Sequence, residues 1–499
     1  MFSVETEKDI ERLRQAAVLL ERENQKLVKQ VTELTRLLLT AQGKDKAQLE
    51  LRLQALEAQL EKRNQMLFGQ SSERGPGEES KNEKSKAPQK GHGPKEQLAL
   101  PVSITTHELC DADKVCPKCA LPLSAWPNQF EESEEVEVVT RSFVIKKHKR
   151  QKYLCACGCI ETALGPKKLF AGARYSIDFA IEVAVQKYLD HLPLERQARI
   201  MRREGLDVDS QTLWDQCERL ARWLKPAMPK LHAYALEHGV LGADETTWWL
   251  MRGRGEGRGA SERWWLWTVV CPNAIYFRMD EHRSAEAAKA VLSDYKGILM
   301  CDGLASYEKF ARANGSVTLV QCWAHVRRAF FECEGHEPDK VARVLGLINE
   351  LFRIEREANS GPPSMRAALR KEKSASVIDD IDAWQKSMQA LPQSAFGKAL
   401  VYLRERWQAL TLFLGDARIP LHNNASERAI RGPVVGRKNF RGCRSKRGLE
   451  VAALFYSLIE SAKANGIDPK HYLRIAVDAA IDGNEIPLPH QLKELAQAA

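Results

Sequence analysis

The chain has no apolar run approaching the roughly 18 residues of a membrane span, and no signal peptide is visible at its start. Met1 opens directly into a charged helical pattern, so a soluble protein with no membrane partner is expected. Without a secretory leader, the twelve cysteines do not read as a disulfide framework. Six of them fall between Cys110 and Cys159, which favours metal binding for that group. Cys217, Cys271, Cys301, Cys322, Cys333 and Cys443 are scattered and read as small packing residues. Between Gln70 and Gln97 almost nothing is apolar, so this stretch cannot bury enough surface to fold and is expected to be a disordered linker, residues 70–98. Acid is missing elsewhere. After Glu427 the segment to Arg447 holds eight Lys or Arg and no Asp or Glu.

That last absence organises the functional reading. A net charge of +9 over 499 residues fits either an anionic partner or simple solubility, and its placement decides between them. Cation density such as that of Arg428, Arg431, Arg437, Lys438 and Arg441 suits a phosphate backbone, where each neutralised phosphate releases counterions. The lone Glu427 would repel phosphate unless a divalent cation lay between them. Asp244 and Asp302 each close a short apolar run and could share that cation. Asp, Asp and Glu around Mg²⁺ or Mn²⁺ is chemistry for cutting or joining phosphodiesters. Glu405 and Asp416 compete for the third position, and spacing does not exclude either.

In chain order, residues 1–69 read as a coiled coil. Leu13, Leu20, Leu27 and Leu34 recur every seventh residue, and Asn24 supplies a polar seam position of the kind that fixes pairing. A homo-oligomer is expected from it, although one amphipathic helix packed on its own domain would give the same seam. A zinc-binding module, 99–165, follows. Cys116 and Cys119 form one Cys-x-x-Cys pair, while Cys155, Cys157 and Cys159 compete for the remaining two places of a tetrahedral structural Zn²⁺ site, Cys155 and Cys157 being preferred and Cys159 the alternative. A basic strand, Val144–Lys152, lies between the pairs.

Residues 166–235 read as helix-turn-helix-like, with Gly205 as the breaker and Ser210 as the cap of the second helix; many three-helix cores share that pattern. From Gly239 the period becomes that of strands. Three strand-like runs, then helix, strand, helix and strand, are the order of a ribonuclease H-like core over 236–332 and 419–465. A helical insertion occupies 333–418, and a helical tail 466–499. The expected fold class is thus multidomain α+β.

From about Cys116 onward the chain resembles the transposases of the insertion-sequence family numbered sixty-six, a family of the acidic-triad (DDE) class. The resemblance rests on Cys116-Pro-Lys-Cys119, KYLDHLPLERQ, ADET around Asp244, CDGLASY around Asp302, CWAHVRR around His325, NNASERAIR around Glu427, GRKNF and SLIESAKANGIDPKHYL. It implies a bacterial, nucleoid-associated cytoplasmic transposase that binds element ends and target DNA and transfers strands, with Asp244, Asp302 and Glu427 as catalytic and metal-binding triad. Element-encoded helper proteins are conceivable partners on the same grounds. Cys322 and His325 resemble the Cys-x-x-His motif that supports such sites, with packing against the sheet as the alternative. The sequence departs from the family at His422, where an Asp often precedes the paired asparagines. The rival readings are a DNA-binding regulator and a structure-specific nuclease on the same core.

Overall fold

The computed structural model describes residues 121–122, 142–154, 157, 160–251, 261–335 and 337–498. The coiled coil expected over 1–69, the linker 70–98 and the zinc candidates Cys116, Cys119, Cys155 and Cys159 lie outside the described residues. Cys157 is described and is exposed on the turn of a small antiparallel hairpin, β1 (Lys152–Leu154) and β2 (Ile160–Thr162). The strand expected over Val144–Lys152 does not form: Val144 and Ile145 are exposed, and pairing begins only at Lys152 opposite Thr162.

Four helices come next: α1 (Ile177–Tyr188), α2 (Leu194–Arg203), α3 (Ser210–Leu224) and α4 (Ala227–Leu236). The break between α2 and α3 contains Gly205 in the left-handed region, at φ 88°, as expected. The cap of α3 is Asp209 rather than Ser210. The Asp209 Oδ1 accepts from the Thr212 amide at 2.6 Å, because a carboxylate meets the positive helix end better than a hydroxyl does. Ser210 Oγ donates instead to Glu195 on α2 at 2.7 Å.

The central sheet follows. Its strands are β3 (Val240–Leu250), β4 (Glu262–Cys271), β5 (Ala274–Asp280), β6 (Gly297–Cys301) and β7 (Val317–Gln321), ordered β5-β4-β3-β6-β7. The first three pair antiparallel, and β3–β6 and β6–β7 pair parallel. Helix α5 (Ala285–Leu292) carries the chain from β5 at the edge to β6 on the far side of β3, and α6 (Ala305–Ala313) makes the crossover between the parallel neighbours β6 and β7. The run of Trp248, Trp264 and Trp267 supplies the bulk that a pleated surface buries well.

Beyond β7 the chain is helical: α7 (Trp323–Phe331), α8 (Pro338–Ala358), α9 (Pro363–Leu369), α10 (Ala375–Ser387) and α11 (Ala395–Thr411). These build their own core with Ile298, Met300 and Val320 from the sheet. At its centre Arg370, fully buried, is held by Glu355 and by the carbonyls of Phe413, Asp416 and Ile419, so that its desolvated charge is paired and hydrogen-bonded throughout.

The last helices are α12 (Asn424–Phe440), α13 (Lys446–Ala464), α14 (Pro469–Ile481) and α15 (Pro489–Ala498). Helix α13 is apolar nearly all round from Val451 to Ala462 and is accordingly buried on all sides there. It also closes the open edge of the sheet. Ser457 and Ser461 accept from the amides of Phe277 and Ile275 at 2.8 and 2.9 Å, satisfying donors that β5 would otherwise leave bare. A single hydrophobic cluster runs through α1, α3, α13, α14 and the sheet. The pattern that reads as helix-turn-helix therefore shares one core with the strands, and α3 is largely covered, with only Gln211 and Arg222 fully exposed along it.

Candidate active site

The parallel register of β3 and β6 places Val240 beside Ile298 and Gly242 beside Met300. Continued two residues, it carries Asp244 level with Asp302, which follows Cys301 at the end of β6. Two acids distant in sequence thus meet because the parallel register sets the middle of β3, where Asp244 lies, beside the C-terminal end of β6. Carboxylate oxygens of Asp244, Glu245 and Asp302 lie within 4.8 Å of one another. Asp244 Oδ1 accepts from the Glu245 amide at 2.8 Å, and Asp302 Oδ1 from the Leu304 amide at 3.1 Å.

Glu245 is committed elsewhere. Its Oε1 accepts from Arg283 Nε at 2.9 Å and Nη2 at 2.5 Å, and its Oε2 from the buried Tyr307 hydroxyl at 2.9 Å. Burial and the Asp302 charge still push its carboxyl up, against the pull of Arg283 and Tyr307. Among the described residues no cation is seen to offset the charge of Asp244. Burial first, then the charges of Glu245, Asp302 and Glu427, push its carboxyl up to about 8. Of the two residues that restrain Glu245, Arg283 comes from the segment between β5 and α5 and is not signalled by any motif, whereas Tyr307, on α6, is the last residue of CDGLASY.

Glu427 lies in the first turn of α12, half-buried, and near enough to Asp244 for its charge to be felt there. It does not join Asp244 and Asp302 in one ligand group. Its Oε1 lies 3.8 Å from His325 Nδ1, and Glu427, His325 and Cys322 form a second group with ligand atoms within 4.8 Å. The approach of α12 is set by its entry. Asn423 Nδ2 donates to the Ala243 carbonyl at 2.8 Å, the Asn423 amide donates to Cys322 Sγ at 3.2 Å, and Ser426 Oγ donates to Asn423 Oδ1 at 2.8 Å. Burial raises the Cys322 thiol to about 11. His422 packs on Phe352, and its Nδ1 accepts weakly from the Asn424 amide at 3.4 Å.

The close approach needs glycine on β3. A Cβ at Gly242 would collide with Ser426 Oγ and sit 3.0 Å from Asn423 Oδ1. Gly242→Ala should therefore push α12 off the strand, costing about 1–3 kcal/mol by overpacking and lowering activity through the displaced Glu427. Thermal denaturation of wild type and variant measures this. Equal stability would mean that α12 can shift freely.

The competing acids are engaged elsewhere. Glu405 is exposed and pairs with Arg406, and Asp416 pairs with Arg418, which holds its carboxyl below the usual range. Arg406 has a further contact that nothing in the sequence announces: its Nη2 donates to the Gly303 carbonyl at 3.1 Å, bracing the loop after Asp302 from α11.

Of the basic residues after Glu427, Arg428, Arg431 and Lys438 are exposed at helical spacing on one face of α12, and Arg441 is exposed at its end with φ 63°. Arg437 is turned inward. Its Nη1 donates to the Thr247 carbonyl, to Thr247 Oγ1 at 2.7 Å and to Thr246 Oγ1 at 3.2 Å, so it ties α12 to β3 where a phosphate contact is expected.

Residues 172–451 match the family model described as Transposase IS66 family. Among curated proteins of Sinorhizobium fredii (strain NBRC 101917 / NGR234), the chain is 30% identical to the uncharacterized protein y4hP over 68% of its own length and 66% of the relative's. It is 31% identical to the uncharacterized protein y4qI, over 68% and 66% of the two lengths, and 29% identical to y4jD, over 70% and 72%. The chain thus spans just under two thirds of y4hP and y4qI. A solved structure named Mos1 transposase paired-end complex with left transposon end aligns over 50% of this chain and 80% of that one, at 13% identity and a TM-score of 0.13, too low to support an inference.

Proposed function

The chain belongs to the IS66 family of transposases, and from that we propose that it cuts DNA at the ends of a bacterial insertion sequence and joins them to target DNA with Asp244, Asp302 and Glu427 as its acidic triad. The observation that carries this reading is the meeting of Asp244, within β3, and Asp302, just past the end of the adjacent parallel β6, with Glu427 presented from α12 beside them. The strand order β5-β4-β3-β6-β7 supports a ribonuclease H-like core, with α7–α11 inserted before the third acid.

Mg²⁺ or Mn²⁺ fits the donors. All three are hard oxygens, the Asp244 carboxyl is raised by burial and then by neighbouring negative charge, and Glu427 Oε1 is buried without a hydrogen-bond partner among the described residues. Such a cation, held by Asp244, Asp302 and Glu427, would activate the attacking oxygen and stabilise the leaving one. The protein's own residues do the positioning. Arg283 and Tyr307 anchor Glu245 beside Asp244, Arg406 braces the loop after Asp302, and Asn423 and Ser426 seat the turn that bears Glu427.

The exposed face of α12, with Arg428, Arg431 and Lys438, would hold the phosphates of the strand brought to the acids. Because α3 is covered, the exposed Arg196, Arg199 and Arg203 of α2 are the better DNA contacts in the helical region. Replacing Arg428, Arg431 and Lys438 with Ala should flatten the salt dependence of duplex binding by about 2.7 units, if each meets one phosphate. A slope equal to that of wild type would place this face away from DNA. The cysteine module with structural Zn²⁺ and the self-associating coiled coil complete the proposal. The full chain would be an oligomer gripping element ends, with helper proteins as further partners.

The reading is tested by incubating purified full-length protein with DNA carrying the ends of the element that encodes it, plus Mg²⁺ or Mn²⁺. End-specific nicking and joined products are expected. Binding without any strand breakage would favour the regulator, and cleavage indifferent to end sequence would favour a nuclease.

A further inference from the structure

We propose that Cys322, His325 and Glu427 form a second metal site, one that takes a thiophilic divalent cation such as Zn²⁺ and holds Glu427 away from Asp244 and Asp302. The inference rests on the reading that Glu427 acts with those two aspartates. It adds a regulatory ligand at the same site.

The geometry brings together three donors from two segments. Cys322 caps α7 at the end of β7, and His325 lies in the first turn of that helix, three residues on and so on the same side. Glu427 comes from the first turn of α12. The two segments are fastened directly. The Trp323 amide donates to the Leu421 carbonyl at 3.1 Å, and the Asn423 amide donates to Cys322 Sγ at 3.2 Å. The sulfur, nitrogen and carboxylate oxygen consequently lie within 4.8 Å of one another.

His325 Nδ1 and Glu427 Oε1 are both buried, and among the described residues neither has a hydrogen-bond partner. Buried polar atoms without partners are uncommon in folded proteins, and an ion between them is one physical reason for such a pair. They lie 3.8 Å apart. Two ligands at about 2 Å from a tetrahedral ion lie about 3.4 Å apart, so a small closure of the side chains suffices.

The donor set selects the cation. Mg²⁺ requires oxygen ligands, whereas one thiolate, one imidazole and one carboxylate suit Zn²⁺ with a fourth position left open. On binding, Cys322 coordinates as thiolate and its proton passes to solvent. The Asn423 amide already directed at the sulfur would stabilise that thiolate, as outer partners of metal ligands do. With Glu427 engaged there, Asp244 and Asp302 would lack their third carboxylate.

The test uses chelator-stripped full-length protein titrated with Co²⁺, whose thiolate charge-transfer absorption reports sulfur ligation. Wild type should bind one equivalent per chain more than Cys322→Ser, and His325→Gln should lose the same component by at least about 100-fold in affinity. Cys116→Ser should leave that component in place. His325→Gln keeps the experiment decisive if Cys322→Ser fails to fold. In the cleavage assay at fixed Mg²⁺, Zn²⁺ should suppress wild type at least tenfold, and Cys322→Ser should be insensitive relative to its own zinc-free rate. Equal Co²⁺ stoichiometry and spectra in wild type and both variants would overturn the proposal and leave His325 and Glu427 as a simple polar pair. If no protein cleaves DNA under any condition, the transposase reading fails while the Co²⁺ result still decides the site.

Discussion

Replacing Asp302 with Asn should abolish strand cleavage and joining while sparing DNA binding. The change preserves size and the side-chain oxygen that accepts from the Leu304 amide at 3.1 Å, so the loop after β6 should keep its shape. It removes one negative charge from the place where Asp244 and Asp302 converge. The cation proposed there would supply several kcal/mol of transition-state stabilisation, so a loss on the order of 10³-fold or more is expected. Asp244→Asn and Glu427→Gln should behave alike, because all three are proposed to share one role. Binding is proposed to rest on the exposed Arg428, Arg431, Lys438 and the arginines of α2, which these changes leave intact. Glu405→Gln and Asp416→Asn are the controls, since both acids are paired with neighbouring arginines and neither belongs to a ligand group with the aspartates or Glu427. Activity retained by Glu427→Gln but lost in either control would move the third acid.

Asp244→Asn should also make the protein more stable in divalent-free buffer, and increasingly so as pH rises. The folded-state carboxyl sits near 8, above its ordinary value of 3.8, so across that window the native protein keeps a proton that the unfolded chain has released. Stability from this group is therefore full below about pH 4 and is lost as pH climbs through 8. Asn carries no such penalty. The variant's advantage over wild type should be small at pH 5 and widen to about 2–5 kcal/mol at pH 8, measured by denaturant unfolding at both pH values. Mg²⁺ should narrow the gap by stabilising the wild-type carboxylates. Equal stability of the two proteins at pH 8 would show that Asp244 ionises there without strain. A stabilised, inactive variant is what a functional site built from mutually repelling acids should give.

Much of the architecture was legible in the chain because periodicity is a local property. The strand runs around Trp248, Trp267 and Phe277, the β6 and β7 segments after α5 and α6, and the helical region before Leu421 all appear where their patterns place them. Local chemistry was less reliable at ends and edges. Asp209 displaced Ser210 as cap, and the stretch from Val144 found no strand to pair with. Arg437 reads as one more cation in a basic run, and only the packing of α12 on β3 turns it toward Thr247.

What the sequence determined by itself was the inventory: two aspartates closing apolar runs, a glutamate heading a basic helix, and the Cys322–His325 spacing that puts both residues on one side of a helix start. Those are matters of residue type and separation along a single element. Tertiary structure decided which of them meet. Asp244 and Asp302 converge through strand register, Glu245 is held by Arg283 and Tyr307, and Arg406 reaches Gly303 from more than a hundred residues away. Glu427 comes to lie against His325 rather than within one ligand group with the aspartates. The reason is physical. A side chain three residues along a helix is placed by the helix, but one arriving from another element is placed by how closely the two backbones can approach, and here that distance is set by the missing side chain of Gly242 and the hydrogen bonds of Asn423.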